Sequence, residues 1–413
     1  MVALTSSQQF AWELLQGEGP VFLTGEAGSG KSFLAHCFIE TRNSRDFPIL
    51  ASTGAASVLV GGRTLHSFLG LGILKGGIEA TVLKALKDRR VCRRIKKAKG
   101  LVIDEISMIS GETFRAAEMI CRLAREENRP WGGLKIIVVG DFAQLPPVER
   151  HRVGSPDWAF KSRIWAETGF QSAVLKQNVR SRNLEFLQVL NRVRRGQVDD
   201  SVRSFLRARS KELPKEFEGT RLFPRRVQAD QYNECRLLKL PGKIRYFPTE
   251  YTGEKRYVTA MKKYSPLPEE LKLIEGALVM LRQNDPCGRW INGSTGTLVG
   301  FGNEFLKIEL LNGRSIEIEK ATFSLLDAEG KVRAEVINYP VTLAWAATIH
   351  KSQGMTLDRL AVNLEGLWEP GHAYVALSRI TEPDNLWLIG WQERSVKVDP
   401  QVAHFYQELE SKG

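Results

Sequence analysis

Residues 25 to 32 read GEAGSGKS. Glycines at Gly25, Gly28 and Gly30 let a loop wrap a phosphate, with backbone amides such as that of Ser29 turned inward. Lys31 then reaches the β- and γ-phosphates and the Ser32 hydroxyl takes a magnesium ion. ATP and Mg²⁺ are the cofactors this spacing implies. Further on, Asp104 and Glu105 offer two adjacent carboxylates. Asp104 can hold Mg²⁺ through water, and Glu105 can accept a proton from the water that attacks the γ-phosphate. Gln144, in GDFAQLPP, is stiffened by Pro146 and Pro147. A glutamine held in that way beside a γ-phosphate senses whether the phosphate is present.

Each of these groups needs an element to carry it. Val21-Phe22-Leu23 reads as a buried strand before the glycine loop, and Phe33, Leu34, Cys37 and Phe38 as one face of the helix after it. Leu101 to Ile103 and Ile136 to Val139 read as buried strands that deliver Asp104-Glu105 and the Gln144 turn. Residues 4 to 16 read as a capped amphipathic helix, with Thr5 to Ser7 as start signals and Phe10, Leu14 and Leu15 inward. Gln8 or Gln9 on it could pair with an adenine edge, although a surface glutamine is the plainer reading.

Pro48 to Ala51 reads as another strand, running into Ser52-Thr53-Gly54 and then GGRTLHSFLGLG at 61 to 72. Small and hydroxyl residues at a strand's carboxyl end suit phosphate contacts, Thr53 among them. Phe68 could stack on a base or lie in a core. Nine Lys/Arg against one Asp between Lys84 and Lys99 make either a solvated helix face or a phosphate track. A formal net charge of +12 over 413 residues favours a polyanionic partner, and 43% hydrophobic residues mark an ordinary globular chain of two to four domains. Five scattered cysteines without a C-x-x-C argue against a zinc module or a disulfide framework. No signal peptide or membrane-crossing run stands out, so a soluble, intracellular protein is expected, cytoplasmic or nucleoid-associated.

LTSSQQ, GEAGSGKS, ASTGAASVLVGGRTLHSFLGLG, LVIDEISMI and RPWGGLKIIVVGDFAQLPPV, in that order, resemble the Pif (petite integration frequency) family of superfamily 1 DNA helicases, relatives of the RecD helicases. The likeness resumes in INGSTGTLVGF, TLAWAATIHKSQGMTLDRLAVNL and AYVALSRITEPDNLWLIG, so it covers nearly the whole chain. It implies an ATP-dependent helicase moving 5′ to 3′ on single-stranded DNA and unwinding tailed or structured duplexes, in repair and recombination. By the resemblance Gln8 reads adenine, Asp104 and Glu105 are the Mg²⁺ ligand and base, and Gln144 is the γ-phosphate sensor. Arg180 and Arg379 match two arginines that the second core brings to the nucleotide, and Gly354 joins the nucleotide-binding residues. Thr53, Gly54, Thr64, His66, Phe68, His350 and Lys351 lie in motifs that line the single-strand path. The sequence departs from the family at Val179 and Ser181, on either side of Arg180, and at Trp131 before Gly132-Gly133.

The fold class implied is α/β, with two RecA-like cores built on parallel sheets. Residues 1–68 and 100–173 are expected to form the first core and 69–99 a small basic insertion suited to a strand-splitting wedge. Residues 174–240 and 338–413 are assigned to the second core, where Val341 to Leu343 would resume the α/β pattern. Residues 241–337, with strands such as KIELL and SIEIE, are expected to form a β-rich, barrel-like insertion. A monomer is expected. Two other functions use the same residues: an ATPase switch that clamps or remodels complexes, and a small-molecule kinase, which leaves the charge and the second core without a purpose.

Overall fold

The computed structural model describes residues 4–42, 46–52, 63–72, 74, 76–148, 154–215, 217–285, 287–326 and 331–411. Its contacts divide the chain into two compact units: residues 1–180, 324–333 and 399–413, and residues 181–323 and 334–398.

The first unit is built on six strands: β1 (Val21–Gly25), β2 (Ile49–Ala51), β3 (Arg63–Thr64), β4 (Gly100–Asp104), β5 (Lys135–Val139) and β6 (Gln171–Leu175). They lie in the order β3-β2-β4-β5-β1-β6, and every pairing is parallel. A parallel sheet is covered on both faces, which is why β1, β4 and β5 read as unbroken apolar runs. Because all strands point the same way, their carboxyl ends line up along one edge. Ala51 sits opposite Asp104, Leu23 opposite Val139 and Gly25 opposite Leu175. The glycine loop, Asp104-Glu105 and the Gln144 turn therefore start from the same edge. The sheet continues through residue 175, two residues past the boundary expected from sequence.

Helix α1 (Ser6–Gln16) and helix α2 (Lys31–Glu40) cover β1 through a core that includes Ala11, Leu15, Leu23, Leu34, Phe38, Ile137 and Ala173. Two apolar faces differ from expectation. In α1 the buried positions are Gln8, Ala11 and Leu15, at i, i+3 and i+7, and Phe10 is 54% exposed. In α2 they are Leu34, Ala35 and Phe38, and Phe33 is 46% exposed. Each helix is rotated so that its first phenylalanine, Phe10 or Phe33, faces outward, while Leu15, Leu34 and Phe38 meet the sheet with Ala11 and Ala35.

The second unit holds a four-stranded parallel sheet in the order Ala346–Thr348, Thr220–Phe223, Leu360–Asn363, Leu386–Gly390. Its β-rich insertion is antiparallel. Phe305–Leu310 and Ser315–Glu319 form the expected alternating hairpin within a five-stranded sheet. Val341–Leu343 belongs to that sheet too, antiparallel to Leu278–Leu281, so the parallel pattern resumes only at Ala346. Separate antiparallel pairings join Glu270–Leu273 to Arg245–Pro248, and Val332–Asn338 to Glu250–Gly253.

Candidate nucleotide site and nucleic-acid interface

The turn between β1 and α2 spans residues 26–30. Gly28 and Gly30 have φ of 85° and 88°, a conformation that side chains resist. There is also no room for one: a Cβ at Gly28 would stand 2.8 Å from Cβ of Arg180, and a Cβ at Gly30 2.7 Å from Nε2 of Gln8. Lys31 folds over the loop, its Nζ donating to the carbonyls of Gly25 (2.9 Å) and Glu26 (2.8 Å). Ser29 is buried and its hydroxyl has no hydrogen-bond partner among the described residues, while Ser32 is exposed on the first turn of α2. Amides at a helix start, an ammonium and a hydroxyl thus converge, which is a donor set for phosphate oxygens.

Two further segments hold this loop. Gln8 is buried, with Oε1 accepting the Thr5 N–H at 3.0 Å and Nε2 donating to the Ser29 carbonyl at 3.1 Å. With the Gln8 N–H donating to Thr5 Oγ1 at 3.3 Å, this closes a capping box on α1. The residue expected to read adenine thus lies against the loop, whereas Gln9 is exposed. On the other side, the chain leaving β6 laces onto the loop. Val179 N–H donates to the Gly28 carbonyl at 2.9 Å, and Asn178 donates to the Ala27 carbonyl at 2.8 Å while accepting the Arg180 N–H at 2.9 Å. Arg180 is the last residue of the first unit, and its Cβ backs onto Gly28. Asn178 went unnoticed in the sequence; its only signal was a position two residues before the arginine.

Asp104 ends β4, and its Oδ1 accepts the Glu105 N–H at 2.9 Å. Burial pushes the Asp104 carboxyl above the usual carboxylate range, and the Glu105 amide, His36 and Lys31 pull it back down. Glu105 has φ 52° and ψ 50°, left-handed backbone that costs roughly 1–3 kcal/mol and concentrates at working sites. The Ser32 hydroxyl and the Asp104 carboxylate are hard oxygen donors of the kind magnesium takes. Among the described residues there is no cluster of three or more His, Cys, Asp or Glu placed to hold a metal.

Gln144 is 6% exposed, and its N–H donates to the Asp141 carbonyl at 3.0 Å. Asp141 is itself fully buried and organises the turn, its Oδ1 accepting the Ala143 N–H at 3.1 Å. The group that fixes Asp141 comes from the far end of the chain. In helix Pro400–Ser411, Tyr406 donates its hydroxyl to Asp141 Oδ1 at 2.9 Å and accepts the Phe142 N–H at 2.9 Å, with Thr24 Oγ1 at 3.1 Å. One donor and two lone pairs are all in use. Beside it Phe405 stacks on Phe160 at 4.4 Å and contacts Phe142 and Phe22. Tyr406 therefore bridges the last residue before Gly25 and the turn that carries Gln144. Tyr406→Phe should lower the unfolding free energy by about 1–3 kcal/mol, because a buried carboxylate loses a donor. Denaturant unfolding reads this, and an unchanged midpoint would mean that the hydroxyl carries nothing.

Arg379 lies in the second unit and is 1% exposed. Its guanidinium donates to the carbonyls of Val375 (2.8 Å), Ser352 (3.2 Å) and Met355 (3.4 Å) and to Ser378 Oγ (2.7 Å). In this conformation it clasps the 352–355 loop to helix His372–Leu377. Gly354 in that loop has φ 78° with open space around it. His350 meets His372 edge-on at 5.3 Å, and burial lowers its pKa. Lys351 is exposed on the same short helix.

Of the strand-path residues in the first unit, Thr53 and Gly54 lie outside the described residues. Thr64 caps helix Leu65–Leu69, its Oγ1 accepting the Ser67 N–H at 3.1 Å. His66 is half-buried, and desolvation lowers its pKa. Phe68, expected to offer its ring to a base, is instead 2% exposed, with the guanidiniums of Arg63 and Arg94 at 5.9 and 5.4 Å from its centroid. The short helix turns Phe68 inward with Leu65 and Leu69 and leaves Ser67 outside. The basic strip forms helices Gly77–Lys87 and Arg89–Lys97. Val82, Ala85, Val91 and Ile95 are buried, Arg125 caps the second helix at the Ile95 and Ala98 carbonyls, and Lys84, Lys87, Arg89, Arg90, Arg93 and Lys97 are exposed.

A family model described as PIF1-like helicase matches residues 4–204. The ATP-dependent DNA helicase Pif1 of Bdellovibrio bacteriovorus is 47% identical over 99% of this chain and 93% of its own length. The chain spans only 61 to 65% of the length of the zebrafish, frog and human relatives it matches. Among solved structures, Bacteroides Pif1 in complex with ADP-AlF4 aligns over 100% of this chain and 98% of that one, at 27% identity and a TM-score of 0.88. Bacteroides Pif1 bound to ssDNA aligns over the same shares with a TM-score of 0.66. With a relative this similar over almost the full length of both proteins, the chain belongs to the PIF1-like helicase family.

Proposed function

We propose that this chain is an ATP-dependent DNA helicase that moves 5′ to 3′ along single-stranded DNA and separates the strand ahead. The observation that carries the reading is the alignment, on one edge of one parallel sheet, of the glycine loop, the Asp104-Glu105 pair and the Gln144 turn. Lys31 and the loop amides take the β- and γ-phosphates, Ser32 and Asp104 hold Mg²⁺, and Glu105 takes the proton of the attacking water. Gln8 reads the base, and Gln144 reports on the γ-phosphate. Arg180 and Arg379 add positive charge as the γ-phosphate is cleaved, groups of a kind worth about 10³–10⁵ in turnover. Such an input drives stepping, because cleavage removes the charge that holds the nucleotide-bound conformation.

DNA contacts are assigned to Thr53, Gly54, Thr64, His66, His350 and Lys351, with Phe68 acting from beneath by setting Arg63 and Arg94. Residues 69–99 are the proposed wedge, residues 241–337 the β-rich insertion, and the working form a monomer. Support for a DNA partner comes from a relative bound to ssDNA and from the net charge of +12. No helix among the described residues is long and apolar enough to cross a membrane.

ATP turnover measured with and without single-stranded oligonucleotide tests the reading. A strong rise with the oligonucleotide is expected, and unchanged turnover would favour a small-molecule kinase. Replacing Arg89, Arg90 and Arg93 together with Ala should slow strand separation several-fold while leaving oligonucleotide-stimulated turnover near wild type. Equal loss of both would remove the wedge assignment.

A further inference from the structure

Arg282 follows strand Leu278–Leu281 in the second unit and is only 8% exposed. Its backbone is tied into the sheet, the N–H donating to the Pro340 carbonyl at 2.8 Å. Its guanidinium has no carboxylate partner among the described residues. Nη1 meets the thioether sulfurs of Met280 (3.6 Å) and Met355 (3.4 Å), which are weak acceptors, and Nε has no partner among the described residues. Asp285, three residues on, and Asp358, next to the strand pair at Thr295, are both engaged elsewhere. Asp285 grips Arg289 through both oxygens, at 2.8 and 3.0 Å, and Asp358 takes the N–H and hydroxyl of Thr295 at 3.2 and 3.0 Å.

Burial lowers the Arg282 pKa to about 10, which leaves the group charged at neutral pH. Lys351, exposed on helix Ile349–Ser352, lies within the field of Arg282: desolvation lowers its pKa first, the positive charges of Arg226 and Arg282 lower it further, and Asp230 raises it. A buried cation with no anion destabilises a fold, and replacing such a group by an apolar side chain of similar volume is often neutral or stabilising. An arginine kept in that state has the geometry to take a phosphate, whose oxygens match its fork of donors.

We propose that Arg282, together with Lys351, forms a binding site for a backbone phosphodiester of the single strand in the second unit. Arg282 is unassigned by any motif of the sequence, and the proposal rests on the single-strand binding argued above. The site gives up stability in the free protein and recovers it when the strand supplies the missing anion.

The test uses the full chain, a fluorescent oligothymidylate titrated at several salt concentrations, and thermal melting without DNA. Arg282→Met fills the thioether pocket without charge, and Arg282→Gln is a second neutral variant. Both should melt at or above the wild-type temperature, bind the oligonucleotide about tenfold more weakly, and lose about one unit from the slope of log affinity against log salt. Unchanged affinity and slope would overturn the site. So would a melting temperature lowered by several degrees in both variants, which would make Arg282 a packing residue. Inorganic phosphate that raises the wild-type melting temperature as far as the oligonucleotide does would reassign the site to a free anion. Failure of the wild-type chain to bind any oligonucleotide would remove the underlying reading, a result separate from an unaltered variant.

Discussion

Glu105→Gln should bind ATP and single-stranded DNA at near wild-type affinity and lose about 10²–10⁴-fold in turnover, the usual contribution of a positioned general base. The substitution keeps the shape and the local backbone, including the left-handed φ of 52°. What it removes is the ability to accept a proton. Asp104, proposed above as the Mg²⁺ ligand, is not expected to take over, its Oδ1 accepting the Glu105 N–H at 2.9 Å. Steady-state hydrolysis and nucleotide binding, measured on the same preparation, check this. Wild-type turnover in the variant would pass the role of base to another group, and loss of nucleotide binding would mean that the loop had been disturbed.

Phe68→Ala should destabilise the first unit by about 3–5 kcal/mol, the range for removing a phenylalanine ring from a packed site. Its ring is 2% exposed, with the guanidiniums of Arg63 and Arg94 at 5.9 and 5.4 Å from its centroid, so truncation opens a cavity and removes the ring that both cations meet. Denaturant unfolding reads the change. DNA affinity should fall only in step with lost structure, measured where the variant is still folded. An unaltered midpoint combined with a large loss of single-strand affinity would put the ring back on the strand path.

Phe68 also illustrates what the sequence could and could not tell. The chemistry of Gly25 to Ser32 is set by spacing within one turn, so it was readable, and the apolar runs around it were readable because a parallel sheet buries both faces. Which side of a short helix faces inward depends on what covers it. Phe10 and Phe33 were expected inside and lie outside, because α1 turns Gln8, Ala11 and Leu15, and α2 turns Leu34, Ala35 and Phe38, to the buried side. Tyr406 had no local sign at all: its partners Thr24 and Asp141 lie 382 and 265 positions away, and only the return of the chain to the first unit brings them together. Val341–Leu343 was readable as a strand, but its partner was not, since three apolar or β-branched residues suit either sheet. Arg379 was marked by its motif, whereas its burial among four acceptors depends on packing.

In the proposed function, hydrolysis on the first unit moves the protein along DNA in one direction and separates strands. The most direct measurement compares two partial duplexes, one with a 5′ single-stranded tail and one with a 3′ tail, in the presence of ATP and Mg²⁺. Strand separation of the 5′-tailed duplex alone is the result predicted. Separation of neither, alongside oligonucleotide-stimulated ATP turnover, would contradict it and leave a DNA-dependent ATPase that clamps or remodels instead of unwinding.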